Sequence, residues 1–277
     1  MINTHLKKIP TFKEKTKLVV FGDSFADHYA VINDPDTWWH FKGWPGIVGF
    51  HIDPRTEPFF AGRSGTSVWF SYKNFVHALE HTEFEYVAFV YTAAQRIMSL
   101  PVERAGEAWE IVNYRDGEYV SPMVKSYVEN FWDEELHDFI TQQVFRKVNL
   151  LCKKHNKKLV NILPFENSFR LNEIDYNDAL FPCLVGLDSV TRAECGNAER
   201  YIETSQTWIN GGDQRMNHMN EQNNKVVAQK IYELFQDQSV QTVRAMDLPG
   251  LDFSEETWLT YNTLSLHNTE EELCVNY

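Results

Sequence analysis

The stretch Val19-Val-Phe-Gly-Asp-Ser-Phe-Ala-Asp27 decides the fold class of this chain. It begins inside an apolar run, residues 17–22 (KLVVFG), whose β-branched centre and closing glycine are typical of a buried strand. Asp23 and Ser24 follow that strand and lead into a helix-like segment. In an open parallel sheet, residues just past the carboxyl end of a strand face the crevice where ligands bind. Ser24 is therefore a candidate nucleophile, and the alternative is that Asp23 or Ser24 only caps the following helix.

Further apolar runs predict the other strands of the same sheet. Residues 86–91 (YVAFVY) and 158–163 (KLVNIL) have the composition of inner parallel strands, and Pro164 stops the second. Residues 58–61 and 182–187 are weaker candidates. Together these runs indicate a mainly parallel sheet of about five strands.

Amphipathic helices are predicted between the strands. In residues 123–155 apolar side chains recur mainly every three or four positions, with a break expected near Trp132. Residues 220–235 form the last strong helix, and Asn220 is placed as its N-cap. Strands that alternate with helices predict an α/β protein, here a three-layer α/β/α sandwich.

The 277 residues are predicted to form a single domain, 1–277, with its core at about 17–238 and a C-terminal extension at 239–277. Lys and Arg number 26 against 39 Asp and Glu, and the net charge of −13 disfavours nucleic acid and anionic lipid as partners. The four cysteines form no C-x-x-C pair, and no stretch approaches the ~18 apolar residues of a membrane span. We therefore expect a soluble protein without a signal peptide, either cytoplasmic or associated with a virion.

The Gly22-Asp23-Ser24 motif at the end of the first strand resembles the first motif of the SGNH, or GDSL, hydrolase superfamily. An ordinary α/β-hydrolase elbow would read G-x-S-x-G near the middle of the chain, whereas Ala26 stands here at the position of the last glycine. The resemblance extends from residue 17 to about residue 235. It implies a flavodoxin-like sandwich, Ser24 as nucleophile, and ester hydrolysis that needs no cofactor or metal.

The last motif of that family is an Asp and a His, usually three positions apart, just before the final helix. His218 lies directly before the helix predicted at 220–235, so the resemblance implies that His218 is the catalytic base. The position three residues earlier is Arg215, and the carboxylate nearest upstream is Asp213. Asp213 can orient His218 if the loop bulges, and a backbone carbonyl can share that work.

The resemblance also implies an oxyanion hole formed by the backbone N–H groups of Ser24 and Gly65. Gly65 lies in residues 60–67 (FAGRSGTS), where a helix is predicted to begin near Thr66. Preorganised donors of this kind stabilise the negative charge of a tetrahedral acyl intermediate. The alternative for this segment is a glycine turn that leads into an N-capped helix.

The third motif departs from the family, which has Gly-x-Asn-Asp after the third strand and uses the Asn as an oxyanion donor. Here the chain continues Thr92-Ala-Ala-Gln95-Arg96, with no Asn. Thr92 or Gln95 is the expected replacement donor. Arg96 either holds a negatively charged or sugar substituent or forms an ion pair at a helix end.

Other residues are weaker candidates for contact with substrate or metal. Asp23 and Trp69 are included with Arg96 as substrate contacts, because aromatic faces suit sugar rings, although packing is the commoner role of a tryptophan. His77 and His81 are four residues apart and could form a metal pair, but they lack the H-E-x-x-H order and a third ligand. We interpret them as a solvated helix end and predict no metal site.

These observations favour a serine ester hydrolase that removes an O-acetyl or other short acyl group from a carbohydrate. Two alternatives stay open. One is an SGNH-like scaffold with little or no catalysis that serves as a binding or structural component, for example in a phage-type assembly. The other is an acyltransferase that uses the same Ser24 and His218. The oligomeric state is not indicated by the sequence.

The role of the acid leads to a first prediction. Asp213→Asn should reduce ester turnover less than His218→Ala does if a backbone carbonyl shares the orientation of His218, and about equally if Asp213 is its sole partner. Turnover of an acetyl ester by the two variants measures this difference. An Asp213→Asn variant with full activity would show that another group orients His218.

Overall fold

The computed structural model describes residues 15–23, 25–26, 43–62, 66–92, 126, 130–164, 184–186, 219, 221–239, 242–244 and 248–251. In chain order its elements are β1 (Leu18–Phe21), α1 (Trp44–Ile52), β2 (Phe59–Phe60), α2 (Val68–His81), β3 (Tyr86–Val90), α3 (Glu134–Lys154), β4 (Lys158–Leu163), β5 (Leu184–Gly186), α4 (Glu221–Gln236) and β6 (Thr242–Arg244). Among the described residues, no helix is both long enough and apolar enough to cross a membrane.

The six strands form one parallel sheet in the order β2-β1-β3-β4-β5-β6. Val19 of β1 lies opposite Phe59 of β2 on one side and Val87 of β3 on the other. β1 thus lies inside the sheet, β2 pairs with it at one edge, and β3 to β6 follow in order on its other side. This arrangement confirms the predicted parallel α/β fold.

Alternating side chains of the inner strands supply two separate cores. Leu18 and Val20 of β1 face a core that includes Trp44 and Val48 of α1 and the apolar side of α4. Val19 and Phe21 face the opposite core, which α2 and α3 cover. Because all four residues of β1 are fully buried, a continuous apolar run is required there instead of an alternating one. The result is three layers, with the sheet in the middle.

The helix bounds follow from local capping. Ser67 is the N-cap of α2, and its Oγ accepts a hydrogen bond from the Phe70 amide at 3.4 Å. Asp133 is the N-cap of α3 and accepts from the Leu136 amide at 3.0 Å. The residues before it, Asn130–Phe131, are helical and Trp132 is not, so the predicted break near Trp132 is confirmed.

Two elements were not indicated by the sequence pattern. Helix α1 carries apolar side chains on every side and contains two glycines, so it lacks the amphipathic period of a surface helix. Strand β6 has three residues, too few for a pattern, and it lies in the segment predicted as an extension. Leu248 and Leu251 then pack against the core that α4 covers. The core therefore continues beyond residue 238.

A close contact between α1 and the segment before β2 yields a stability prediction. A Cβ added at Gly49 would lie 2.0 Å from Pro58 Cγ. Gly49→Ala should therefore lower the free energy of unfolding by about 1–3 kcal/mol. Pro58→Ala removes the obstructing ring, so the double variant should lose less than the sum of the two single losses. Denaturant unfolding of all three variants measures this; strictly additive losses would contradict the contact.

Candidate active site

The strand order reverses between β1 and β3, the switch point of the sheet. Ligands of doubly wound proteins bind outside the carboxyl ends of the strands at such a point. Helix α1, which follows β1, covers one face of the sheet, and α3, which follows β3, covers the other. The described helices that follow β1 and β3 therefore include one on each face of the sheet.

The segment that leaves β1 is a tight turn, residues 22–26, which we call the β1 turn; the structure describes Gly22, Asp23, Phe25 and Ala26 of it. Asp23 is fully buried. Its Oδ1 accepts from the Phe25 amide at 3.1 Å, and its backbone carbonyl accepts from the Ala26 amide at 3.0 Å. Asp23 thus closes the turn around the position of Ser24.

Asp23 also joins the β1 turn to the end of β3. The Thr92 hydroxyl donates to Asp23 Oδ2 at 2.7 Å, and both side chains are fully buried. A buried carboxylate is tolerated when such charge-assisted donors surround it. This contact crosses the switch point between the two strands and holds their carboxyl ends together.

The Asp23–Thr92 contact bears on two predictions. Asp23 was expected to touch substrate, but its carboxylate has no exposed surface and serves the turn instead. The Thr92 hydroxyl was expected to be an oxyanion donor, but its single proton is taken by Asp23. In the structure the two side chains bond to each other, and their assignments to substrate contact and to the oxyanion hole stay predictions. A local sequence reading misses this pairing because the two partners are 69 residues apart.

The residue before Thr92 fixes the other side of β3. The Tyr91 hydroxyl donates to Asn161 Oδ1 on β4 at 2.9 Å, and the Asn161 and Asn149 side-chain amides exchange two hydrogen bonds at 3.1 and 3.2 Å. Asn149 Nδ2 also donates to the Phe145 carbonyl within α3. Burial raises the pKa of the Tyr91 hydroxyl well above its ordinary value, so it stays a neutral donor. The end of β3 is thereby held on both sides.

The loop between β2 and α2 packs directly on the β1 turn. Thr66 Oγ1 donates to the Gly22 carbonyl at 3.3 Å. A Cβ at Gly62 would lie 2.4 Å from the Ala26 carbonyl oxygen, so a side chain at this position would collide with backbone. Gly22 itself has φ +148°, a conformation suited to glycine. Gly62 and Thr66, which flank residues 63–65 in the sequence, therefore both lie against the β1 turn.

The segment that follows His218 is joined to the same turn through Trp44 and Asn224. The Trp44 indole N–H donates to the Phe25 carbonyl at 2.9 Å, and the Trp44 backbone amide donates to Asn224 Oδ1 at 2.8 Å. Asn224 Nδ2 then donates to the Met219 carbonyl at 2.8 Å. No local pattern in the sequence indicates this bonding role of Trp44.

Most of the predicted site residues lie outside the described residues: Ser24, Gly65, Gln95, Arg96, Asp213 and His218. Their sequence neighbours Phe25, Thr66 and Met219 are described, and all three either belong to the β1 turn or are hydrogen-bonded toward it. Trp69 lies in the first turn of α2, is 37% exposed and packs on the Tyr72 ring at 5.4 Å. Trp69 thus keeps an open face at the end of α2 nearest the β1 turn.

The histidine pair lies at the other end of α2. His77, Glu80 and His81 have potential ligand atoms within 4.8 Å of one another, and Glu80 and His81 are exposed. His81 Nε2 is 3.8 Å from Glu80 Oε2. This end of α2 is largely exposed, as predicted, but Glu80 adds the third possible ligand that the sequence was expected to lack, and the absence of a metal site stays a prediction. The cluster is separated from the β1 turn by the length of α2.

Comparisons with known proteins give little guidance. No family model matches the chain, and no curated protein matches it. Among solved structures, it is similar to the psychrotrophic esterase EstA from Pseudoalteromonas sp. (12% identity, TM-score 0.41, 81% of this chain and 97% of that one). It is also similar to LAE5, described as an alpha/beta hydrolase enzyme from the metagenome of Lake Arreo (17% identity, TM-score 0.29, 61% of this chain and 69% of that one). Likenesses this distant do not bear on activity.

The Asp23–Thr92 contact can be tested on stability. Thr92→Val keeps the shape of the side chain but removes the hydroxyl that donates to the buried Asp23 Oδ2, so the free energy of unfolding should fall by about 1–3 kcal/mol. Thr92→Ser keeps the hydroxyl and should lose about 1 kcal/mol or less, for one methyl group. Denaturant unfolding compares the two variants. A valine variant as stable as the wild type would show that Thr92 is not needed to satisfy Asp23.

Proposed function

We propose that this protein is a serine ester hydrolase of the SGNH type. The observation that carries the proposal is the convergence on the β1 turn. Phe25, next to the predicted nucleophile, belongs to this turn, and Thr66, next to an oxyanion donor, bonds to it directly. Met219, next to the base, is joined to it through Asn224 and Trp44. The turn lies at the switch point of the sheet. A site for acyl transfer needs these three functions in one place.

In the proposed reaction, Ser24 Oγ attacks the acyl carbon of an ester while His218 takes the serine proton. Asp213 orients His218 and stabilises the imidazolium. The backbone N–H groups of Ser24 and Gly65 bind the oxyanion of the tetrahedral intermediate. His218 then protonates the leaving alcohol, and water, with its proton taken by His218, cleaves the acyl-enzyme. The reaction as proposed uses no metal or cofactor.

Gln95 becomes the proposed third oxyanion donor, because the Thr92 hydroxyl is already committed to Asp23. Its amide reproduces the donor of an asparagine with one more methylene group. Trp69 and Arg96 are proposed to contact the substrate, for which we favour an O-acetylated carbohydrate. The exposed indole of Trp69 offers an aromatic face of the kind that sugar rings use.

One observation favours a second function, a binding or structural scaffold with weak catalysis. The third motif lacks its asparagine, and the nearest hydroxyl, that of Thr92, is not available as a replacement. Loss of one oxyanion donor costs about 10²–10³ in rate. A protein with only the two backbone donors would hydrolyse esters slowly and could serve mainly to bind them. An acyltransferase would use the same residues, with an alcohol in place of water.

A fluorophosphonate probe tests the proposal directly, because it reacts with activated serines. We expect mass mapping to find the adduct on Ser24, and Ser24→Ala and His218→Ala each to abolish labelling and ester turnover. The double variant should be hardly worse than either single variant, because the two residues act as a unit.

The control for labelling is Ser239→Ala, which removes an exposed serine after α4 and should change nothing. Independent, additive losses of labelling and turnover in the Ser24 and His218 variants would contradict the proposal that the two residues act as a unit. An unlabelled wild type would favour the scaffold. Transesterified product with an added alcohol would identify an acyltransferase.

A further inference from the structure

A buried hydrogen-bonded link joins two distant segments of the chain. From the Phe25 carbonyl it runs through the indole N–H and backbone N–H of Trp44 to the side-chain amide of Asn224 and ends at the Met219 carbonyl. We call these four residues the Trp44–Asn224 link. Its ends are one residue from Ser24 and one residue from His218, although those ends are 194 positions apart in the chain.

Every member of the link is shielded from water. Trp44 is 1% exposed, Met219 3%, Asn224 6% and Phe25 7%. A buried polar group that loses its partner costs about 1–3 kcal/mol, because water does not replace the lost hydrogen bond. The three bonds of the link therefore favour one arrangement of the two segments over any that separates them.

The link also supplies a hydrogen-bond acceptor for the first backbone amide of α1. Gly43, its N-cap, has no side chain to accept from the first amides of the helix. Asn224, in the first turn of α4, supplies that acceptor from another element. The two helices pack on the same face of the sheet, so the link is part of a helix–helix contact and not of a loose loop.

We propose that Trp44 and Asn224 are positioning residues that set the separation of Ser24 and His218. This inference rests on the proposed function, because it assigns the link a purpose in proton transfer between the two. Trp44 holds the backbone carbonyl of Phe25, the residue after Ser24. Asn224 holds the backbone carbonyl of Met219, the residue after His218. A misplacement of about 1 Å between reacting groups can cost about 10² in rate. Neither residue touches the substrate.

Two variants break the link at different points. Trp44→Phe removes the indole donor to Phe25 but keeps the backbone donor and most of the ring volume. Asn224→Leu removes both side-chain bonds at similar size. Trp132→Phe is the matched control, because Trp132 stacks on His137 at the start of α3 and has no part in the link.

The first readout separates probe binding from the chemical step of Ser24 labelling by a fluorophosphonate. We expect both link variants to lower the maximal labelling rate about 10- to 100-fold while the probe's half-saturating concentration changes less than about two-fold. Trp132→Phe should leave both values unchanged. A role in packing alone would weaken binding and chemistry together or change neither.

The second readout does not depend on activity. In ¹⁵N NMR spectra of the full chain, the Trp44 indole N–H should exchange slowly with solvent, and Asn224→Leu should accelerate that exchange and shift the amides of residues 24–26. An unchanged labelling rate in a variant whose spectrum shows the link broken would overturn the positioning role. Unperturbed amides at 24–26 would overturn the link itself. A wild type that is never labelled would instead overturn the proposed function, and these spectra would still decide whether the link joins the two segments.

Discussion

A fully buried carboxylate at the end of the first strand imposes the main constraint on this molecule. Because Asp23 has no exposed surface, its carboxylate needs donors from the protein, and these include the Phe25 amide of its own turn and the Thr92 hydroxyl. Thr92 can reach it because β1 and β3 are adjacent and parallel, so their carboxyl ends meet at the same edge of the sheet. The hydrogen bonding of Asp23 therefore depends on the strand order, which places the end of β3 beside the end of β1. The Asp23–Thr92 contact in turn helps to hold these two strand ends together.

The two cores explain how the same sheet supports this arrangement. Successive residues of β1 enter opposite cores, so every residue of the strand contributes to stability and none faces water. Burial of this kind is non-directional, and the backbone pairing with β2 and β3 fixes the register. The polar contacts at the carboxyl edge are directional, and they favour one path for the β1 turn.

The sequence was sufficient for the strands whose apolar runs are long and closed by a glycine or proline. The run at 158–163 coincides with β4, and the break near Trp132 precedes the Asp133 cap. Helix α1 was missed because it is apolar all round, and the hydrogen bond between Asp23 and Thr92 was missed because the two residues follow different strands. The Gly-Asp-Ser motif correctly indicates where β1 ends, at the carboxyl edge of the sheet. What it cannot indicate is the hydrogen bonding of Trp44, since tertiary contacts between distant segments leave no local pattern.

The paired side-chain amides of Asn149 and Asn161 hold α3 in one position against β4. Apolar packing of a helix on a sheet is close but non-directional, whereas this pair, with the Tyr91 hydroxyl as a third member, adds directional hydrogen bonds that fit a single alignment. A slide of α3 would break both amide–amide bonds at once. Because Asn149 lies on α3, Asn161 on β4 and Tyr91 directly after β3, a substitution at any one of these side chains would disturb the contacts of a helix and two strands together.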